Sequence, residues 1–368
     1  MSFIFPREWA DSVKAERVEA LRPFGFTERQ ARFLLLVMRH SGVCIKRQYG
    51  AFARIARGGQ KCNAFFDKLV QRGYAVASDC IHNRAQLYHV HHKPLYYGIG
   101  EPESRYRRGV PARQTEERLM RLDAALISPD LDWLTTRSEK LAYLAIKTGS
   151  EPAEPPAQSP VHEQRDLFPG TFPIGVDATD RAVLIYIATK PWTDDFRTFL
   201  VGHLRLLAVT PMWTVRVVFP PSLQRVLPDF QRAFHDELES RLDEQTVNDL
   251  QWYFFHCRRK TDWSTYTSDV VKERFRECAN AFRGPRFARL YDRWLREGET
   301  VLTAIPAVIR EASTSGRAGL DLHLLPHSYD HLAPLVSRGH SRRQVITADA
   351  KEGDEPRRSL NPSLNPAP

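Results

Sequence analysis

The sequence contains only five cysteines, widely spaced and with no C-x-x-C pair among them. This usage argues against a disulfide framework and against a zinc ribbon, so we expect reduced thiols. Long apolar runs are also missing. The longest apolar stretches, such as residues 33–38 and 213–221, are far shorter than the roughly 20 residues of a membrane helix. The first residues lack the apolar segment of a signal peptide. These absences predict a cytoplasmic protein with no membrane partner.

Nucleotide-binding motifs are absent as well. The chain has no G-x-x-x-x-G-K-[ST] loop and no G-x-G-x-x-G fingerprint, which argues against a nucleotide-driven motor and a dinucleotide enzyme. No internal repeat is visible. A length of 368 residues with 42% hydrophobic and 26% charged content is typical of a soluble globular protein with two domains.

Acidic residues are scarce in only one part of the chain. Residues 1–147 hold 25 Lys+Arg and 15 Asp+Glu, a net charge of +10, whereas residues 148–368 hold 28 and 29, a net charge of −1. Within residues 27–113 the counts are 16 and 5, which gives +11. A charge of one sign concentrated on a small module predicts a polyanion as its partner.

The basic module has the element pattern of a winged helix-turn-helix. Thr27 and Gln30 form a capping box that predicts a helix to about His40. We expect a short strand at residues 43–45, helices at 47–56 and 60–72, and strands at 74–80 and 85–91. Helix, strand, helix, helix and hairpin in this order predict a DNA-binding winged helix.

In this interpretation the third helix enters the major groove and the wing tip meets the minor groove or a phosphate. A solvated helix face or a protein-interaction module is the alternative, but the surplus of positive charge favours DNA. The basic run Arg105, Arg107, Arg108 and Arg113 has two equally good interpretations. It either contacts the DNA backbone beside the wing or is a solvated loop. The side chains expected to contact DNA are Arg47, Arg57, Gln60, Lys61, Asn63, Lys68, Arg72, Arg84, Arg105, Arg107 and Arg108.

Three histidines on the second strand of the hairpin raise the question of a metal. His89 and His91 share a strand face, and His92 follows. A zinc site needs further ligands, and no nearby carboxylate or cysteine is placed to supply them. We therefore expect no metal here.

A Pro-, Glu- and Ser-rich stretch divides the chain. We predict a winged-helix domain with C-terminal helices at residues 1–147, a linker at 148–166, a second domain at 167–337 and a disordered tail at 338–368. The helices expected at 115–127 and 138–146 either pack on the winged helix or pair two protomers. A homodimer is therefore expected.

The second domain begins with a predicted hairpin at residues 172–176 and 182–188. A helix at 194–209 and a central strand at 213–219 follow, and then helices at 223–239, 247–257, 268–282 and 286–296. The fold class predicted for the whole chain is α+β, a winged helix-turn-helix followed by a small α/β domain with a helical C-terminal extension. That extension is where we expect any protein partner to dock.

The strand order of the second domain resembles the PD-(D/E)xK core of restriction-endonuclease-like nucleases. Asp177 would be its first acid and Lys190 its lysine, but Ala188 stands where the second carboxylate belongs. One carboxylate and one lysine make a poor Mg²⁺ site. We therefore expect no catalytic residues and no cofactor. A Mg²⁺-dependent nuclease, with Asp194 and Asp195 as further candidates, is the alternative.

Four segments resemble the replication-relaxation group of winged-helix proteins from bacterial plasmids and integrated mobile elements. They are FTERQARFLLLVMRHSG, GQKCNAFFDKLVQRGYA, NRAQLYHV and LMRLDAALISPDLDWLTTRSEK, within residues 25–145. FPIGVDATDRAVLIYIATK is similar to a degenerate form of the nuclease-like domain that some of those proteins carry. The resemblance implies a non-catalytic, double-stranded DNA-binding protein of replication, transfer or transcription regulation. A nuclease targeted by the winged helix and a DNA-binding subunit of a recombination or defence complex are the alternatives.

Overall fold

A computed structural model describes residues 14–55, 59–80, 85–148, 172–259, 268–303, 307–329 and 332. The fold is mixed α+β, as predicted, and contains one three-stranded and one five-stranded sheet. The predicted tail and nearly all of the predicted linker lie outside the described residues. Two sheets therefore organise the described part of the chain.

The N-terminal part is built around the three-stranded sheet. Its elements are α1 (Glu28–His40), β1 (Val43–Cys44), α2 (Lys46–Ala53), α3 (Gln60–Gln71), β2 (Ala75–Asp79) and β3 (Gln86–Val90). The strand order is β1-β3-β2, and both pairs are antiparallel. The predicted capping box is confirmed, since the Gln30 amide donates to the Thr27 hydroxyl and the Thr27 amide donates to the Gln30 side chain.

Two helices follow the hairpin. They are α4 (Lys93–Gly98) and α5 (Ala112–Ile127), and α5 packs against α1, α2 and β1. The next strand, β4 (Asp132–Leu134), pairs with the second sheet, and α6 (Arg137–Thr148) packs beside β4. Strand β4 is thus part of the second sheet and α6 packs beside it, although the sequence pattern assigned residues 132–148 to the N-terminal domain.

The second sheet has the order β4-β5-β6-β7-β8. Its later strands are β5 (Ile174–Val176), β6 (Ala182–Ile187), β7 (Trp213–Phe219) and β8 (Ala318–Leu324). The predicted hairpin is confirmed as the antiparallel pair β5–β6, and β7 lies between two parallel neighbours as expected of a central strand. The connection from β6 to β7 is two helices, α7 (Asp194–Gly202) and α8 (Leu204–Val209), where the sequence predicts one.

The C-terminal helices follow β7. They are α9 (Leu227–Leu238), α10 (Glu244–Arg258), α11 (Asp269–Ala281), α12 (Pro285–Glu297) and α13 (Ala307–Thr314). A separate hydrophobic cluster includes Leu250 and Phe254 of α10 and Leu290 and Trp294 of α12. The four predicted helices are therefore present, but the chain then returns to the sheet as β8, which the sequence analysis did not predict.

The two sheets share part of their core. Val43 of β1 and Leu119 of α5 belong to the same buried cluster as Val183 of β6 and Val218 of β7. The described residues, which end at 332, belong to one compact unit. Burial of this common apolar surface is expected to make the two sheets unfold together.

Candidate nucleic-acid interface

Helix α3 is held by its apolar face. Cys62, Phe65, Phe66 and Leu69 are buried. Phe65 stacks on Tyr49 of α2 at 4.3 Å between ring centroids, and Phe66 meets Tyr88 of β3 at the same distance. These aromatic contacts fix the orientation of α3 against both the preceding helix and the hairpin. The opposite face is consequently turned outward.

The outward face of α3 is polar at its N-terminal end. Gln60 and Lys61 are exposed, and Ala64 leaves the backbone accessible one turn later. Asn63 is half-buried, and its side-chain amide oxygen accepts a hydrogen bond from the Lys46 ammonium at 2.9 Å. The predicted contacts Gln60 and Lys61 are thus accessible to a ligand, while Asn63 also links α3 to α2.

The C-terminal end of α3 is bound to the turn before α1. The Lys68 ammonium donates to the Gly25 carbonyl at 3.0 Å, and the Arg72 guanidinium donates to the Phe24 carbonyl at 2.8 Å. Both side chains were predicted to contact DNA directly. Their hydrogen bonds point them toward the protein instead, so Lys68 and Arg72 support the helix and add charge at its end.

Arg47 has a structural partner that the sequence pattern did not predict. Its guanidinium makes a two-point contact with the Asp123 carboxylate, at 2.7 and 3.3 Å, and the Tyr329 hydroxyl donates to the same carboxylate. The side chains of Arg47 and Asp123 are only 13% and 7% exposed. We therefore remove Arg47 from the candidate DNA contacts, because its charge is neutralised inside the protein.

The basic loop after the hairpin is ordered around Tyr106. The Tyr106 hydroxyl accepts hydrogen bonds from Arg105 at 3.1 Å and from Arg121 at 2.8 Å. Arg107 is half-buried and Arg108 is exposed. Of the predicted loop contacts, Arg105 and Arg108 are thus exposed and Arg107 is half-buried, and the guanidinium of Arg105 is hydrogen-bonded to the Tyr106 hydroxyl.

Two predicted contacts, Arg57 in the turn before α3 and Arg84 at the wing tip, lie outside the described residues. Two arginines that the sequence analysis did not select are exposed nearby. Arg54 ends α2 with a left-handed backbone conformation, and Arg29 donates to the Ala53 carbonyl that precedes it, at 3.4 Å. The available signal for Arg54 was its place near the end of a predicted helix, whereas Arg29, in the first turn of another predicted helix, had no such signal.

The histidines of β3 lie in an apolar and cationic setting. His89 Nε2 is 3.1 Å from the Tyr106 carbonyl oxygen, and burial lowers the pKa of His89 to about 4. Burial likewise lowers the pKa of His91 and of His92. Among the described residues, no group of three His, Cys, Asp or Glu side chains is placed to hold a metal ion. The neutral imidazoles therefore act as packing groups.

The nuclease candidates do not form one site. Asp177 ends β5, and its carboxylate accepts hydrogen bonds from the Thr179 amide and hydroxyl and from the Arg181 amide, at 2.8, 2.7 and 3.1 Å. Lys190 follows the far end of the six-residue strand β6, roughly 20 Å away at about 3.3 Å per residue. A single Mg²⁺ ion cannot bridge that distance.

The remaining acids of that hypothesis are also engaged elsewhere. Asp195 pairs with Lys190 at 3.2 Å, and Asp194 lies 4.0 Å from Arg289. Burial alone would raise the pKa of Asp177, but the hydrogen bonds of its turn hold that pKa below the usual value. Asp177 thus closes the β5–β6 turn as a carboxylate.

Comparison of the chain with protein-family models, with curated proteins and with solved structures finds no match. Among the described residues, no helix is both long enough and apolar enough to span a membrane.

Proposed function

We propose that the N-terminal part of this protein is a winged helix-turn-helix that binds double-stranded DNA. The order α1-β1-α2-α3-β2-β3 is that of a winged helix, with α2 and α3 as the helix-turn-helix and β2–β3 as the wing. In this arrangement α3 is the recognition helix. Its buried aromatic face and its polar outward face are what such a helix requires.

One observation carries the proposal. The exposed end of α3, with Gln60 and Lys61, belongs to a module whose residues 27–113 carry 16 basic and 5 acidic side chains. The exposed Arg54, at the end of α2, and the exposed Arg29, which donates to the Ala53 carbonyl, add to this positive surface. A duplex attracts such a surface through its phosphates, and the side chains of α3 would then read base edges in the major groove.

The wider role follows from the resemblance to replication-relaxation proteins. We propose a cytoplasmic, homodimeric DNA-binding protein of a plasmid or mobile element, without catalytic residues or cofactor. The second sheet is then a degenerate nuclease-like core, which the separation of Asp177 from Lys190 supports. The C-terminal helices are the proposed docking surface for a protein partner in a larger assembly.

The direct test is duplex binding by the full chain and two single variants. Lys61→Gln is expected to weaken binding three- to tenfold at low salt and to reduce the salt slope by about 1, because one phosphate or base contact is lost. Lys272→Gln on α11 removes the same charge from the other region and is expected to leave binding unchanged. Equal effects of the two variants, or none from either, contradict the proposed interface.

A further inference from the structure

A cavity of about 530 Å³ lies between α5 and the C-terminal end of β6. Helix α5 supplies one wall. The other lining residues are Arg105 and residues 172–173, 185–187, 189–190, 195, 199 and 203. None of these residues belongs to the face of α3 proposed above. The volume is in the range of pockets that bind small molecules.

The charge of the cavity is positive. Arg105, Arg118, Arg121 and Lys190 line it, against the carboxylates Glu117 and Asp195. Both carboxylates are already engaged, Glu117 by Arg121 and Asp195 by Lys190. Two of the four cations are paired in this way, so the lining keeps a net charge of +2 and can bind an anion.

The field of these cations reaches the neighbouring groups. Burial first, and then the charges of Arg105 and Arg121, lower the pKa of Lys140 to about 8. Burial alone would raise the pKa of the Tyr106 phenol, but Arg121 and Arg105 hold it below its ordinary value. The pKa of Tyr106 is lowered against the effect of its burial, which is a sign of surplus positive charge at this phenol.

Two buried side chains of the lining have a nitrogen without a hydrogen-bond partner in the described part of the chain. Arg121 is 8% exposed and its Nε has none. His203 is 5% exposed; its Nδ1 lies 2.6 Å from the Phe199 carbonyl and must donate there, so Nε2 is left as an acceptor without a donor. A ligand that carries both an acceptor and a hydroxyl would satisfy the two nitrogens.

The rest of the lining is aromatic and apolar. Phe172, Tyr186 and Phe199 contribute rings, and Tyr186 and Phe199 are only half-buried. Their ring centroids are 5.2 Å apart. Such rings offer a stacking surface to a flat group next to the cationic end.

From this combination we infer that the cavity binds a phosphate monoester attached to a planar ring, with the phosphate at Arg105, Arg118 and Arg121. Nucleoside monophosphates have this chemistry, as does the 5′-phosphorylated terminal nucleotide of a DNA strand. The ring would lie against Tyr186 and Phe199. This site does not depend on the proposed contact of α3 with a duplex.

Titration calorimetry on the full chain tests the inference with thymidine 5′-monophosphate and with thymidine. The monophosphate is expected to bind at least tenfold more tightly than the nucleoside. Arg105→Gln, at an exposed position, is expected to weaken its binding about tenfold. Arg108→Gln removes an exposed cation of the same loop that does not line the cavity, and it is expected to have no effect.

A second comparison identifies the source of the phosphate. A 5′-phosphorylated hairpin duplex that binds more tightly than its unphosphorylated form indicates a DNA end, and binding of the free nucleotide alone indicates a small molecule. Lys61→Gln should weaken both duplexes by the same factor and leave their affinity ratio and the binding of the free nucleotide unchanged, so failure of the duplex proposal stays distinguishable. Equal binding of thymidine and its monophosphate, no binding of any phosphorylated probe, or equal losses in Arg105→Gln and Arg108→Gln overturn the inference.

Discussion

The N-terminal part and the second sheet with its helices use their arginines differently. Around the second sheet arginines face carboxylates, as Arg197 does with Glu237 at 2.8 Å and with Asp236 at 2.9 Å, and the net charge of residues 148–368 is −1. In the N-terminal part exposed cations such as Arg54 and Lys61 outnumber the acids. Both regions use arginines in internal ion pairs, but only the N-terminal part keeps a surplus of positive charge on its surface.

Their shared core raises the question of whether the regions are separate domains. Phe65→Ala removes a fully buried ring of the N-terminal core and is expected to lower the free energy of unfolding by about 3–5 kcal/mol. Chemical denaturation should show one transition, shifted as a whole. Phe230→Ala in the second core is the matched variant and should shift the same transition. Two transitions, each sensitive to only one of the substitutions, contradict the shared core.

Arg47 and Asp123 form an internal ion pair in the N-terminal part. Asp123→Asn is expected to cost about 2–3 kcal/mol, because Arg47 loses its counter-charge and its two-point contact with a carboxylate. Asp249→Asn in the second region breaks an exposed pair with Arg274 and should cost under about 1 kcal/mol. Equal losses in the two denaturation curves would show that Arg47 is a surface residue after all.

The N-terminal part is expected to be the more acid-sensitive region. Burial lowers the pKa of His40 well below its usual value and that of His89 to about 4, so the unfolded chain binds protons that the folded chain does not. Stability is therefore present above about pH 6.5 and lost as the pH falls toward 4. Unfolding free energies at pH 7.5 and 5 should differ less in His89→Gln than in the unmodified protein. The exposed His235→Gln is the control, and a pH effect that both variants reduce equally contradicts this origin.

The smallest effect is expected at the β5–β6 turn. Asp177→Ala removes the acceptor of three hydrogen bonds and should cost about 1 kcal/mol in unfolding free energy without changing duplex binding. Supercoiled plasmid incubated with Mg²⁺ should stay intact with both proteins. Cleavage that is lost in Asp177→Ala would restore the nuclease alternative.

Local patterns explain which parts of the fold could be predicted. The capping box at Thr27 and the apolar period of α3 depend on residues three or four apart, and both appear as expected. Strand β8 was missed although Leu320, Leu322 and Leu324 alternate with polar residues, a period-two signal hidden behind a run of helices.

Long-range partners were beyond the reach of the sequence. The pairing of β4 with β5 joins residues on either side of the predicted linker. Asp123 lies 76 residues from Arg47, and nothing in the spacing distinguishes Arg47 from Lys61. An exposed cation and an internally paired cation look alike in a helical pattern. The charge of the sequence could therefore locate the candidate site, but it could not show which cations are exposed and which are paired inside the protein.

The central claim is that the surplus charge of residues 27–113 binds duplex DNA. The most direct measurement is a salt titration of the full chain on a fluorescent duplex, without added metal. The account predicts binding whose logarithm falls linearly with the logarithm of salt concentration, with a slope of about −0.9 for each phosphate contacted. Binding without a salt slope, or no binding at low salt, contradicts it.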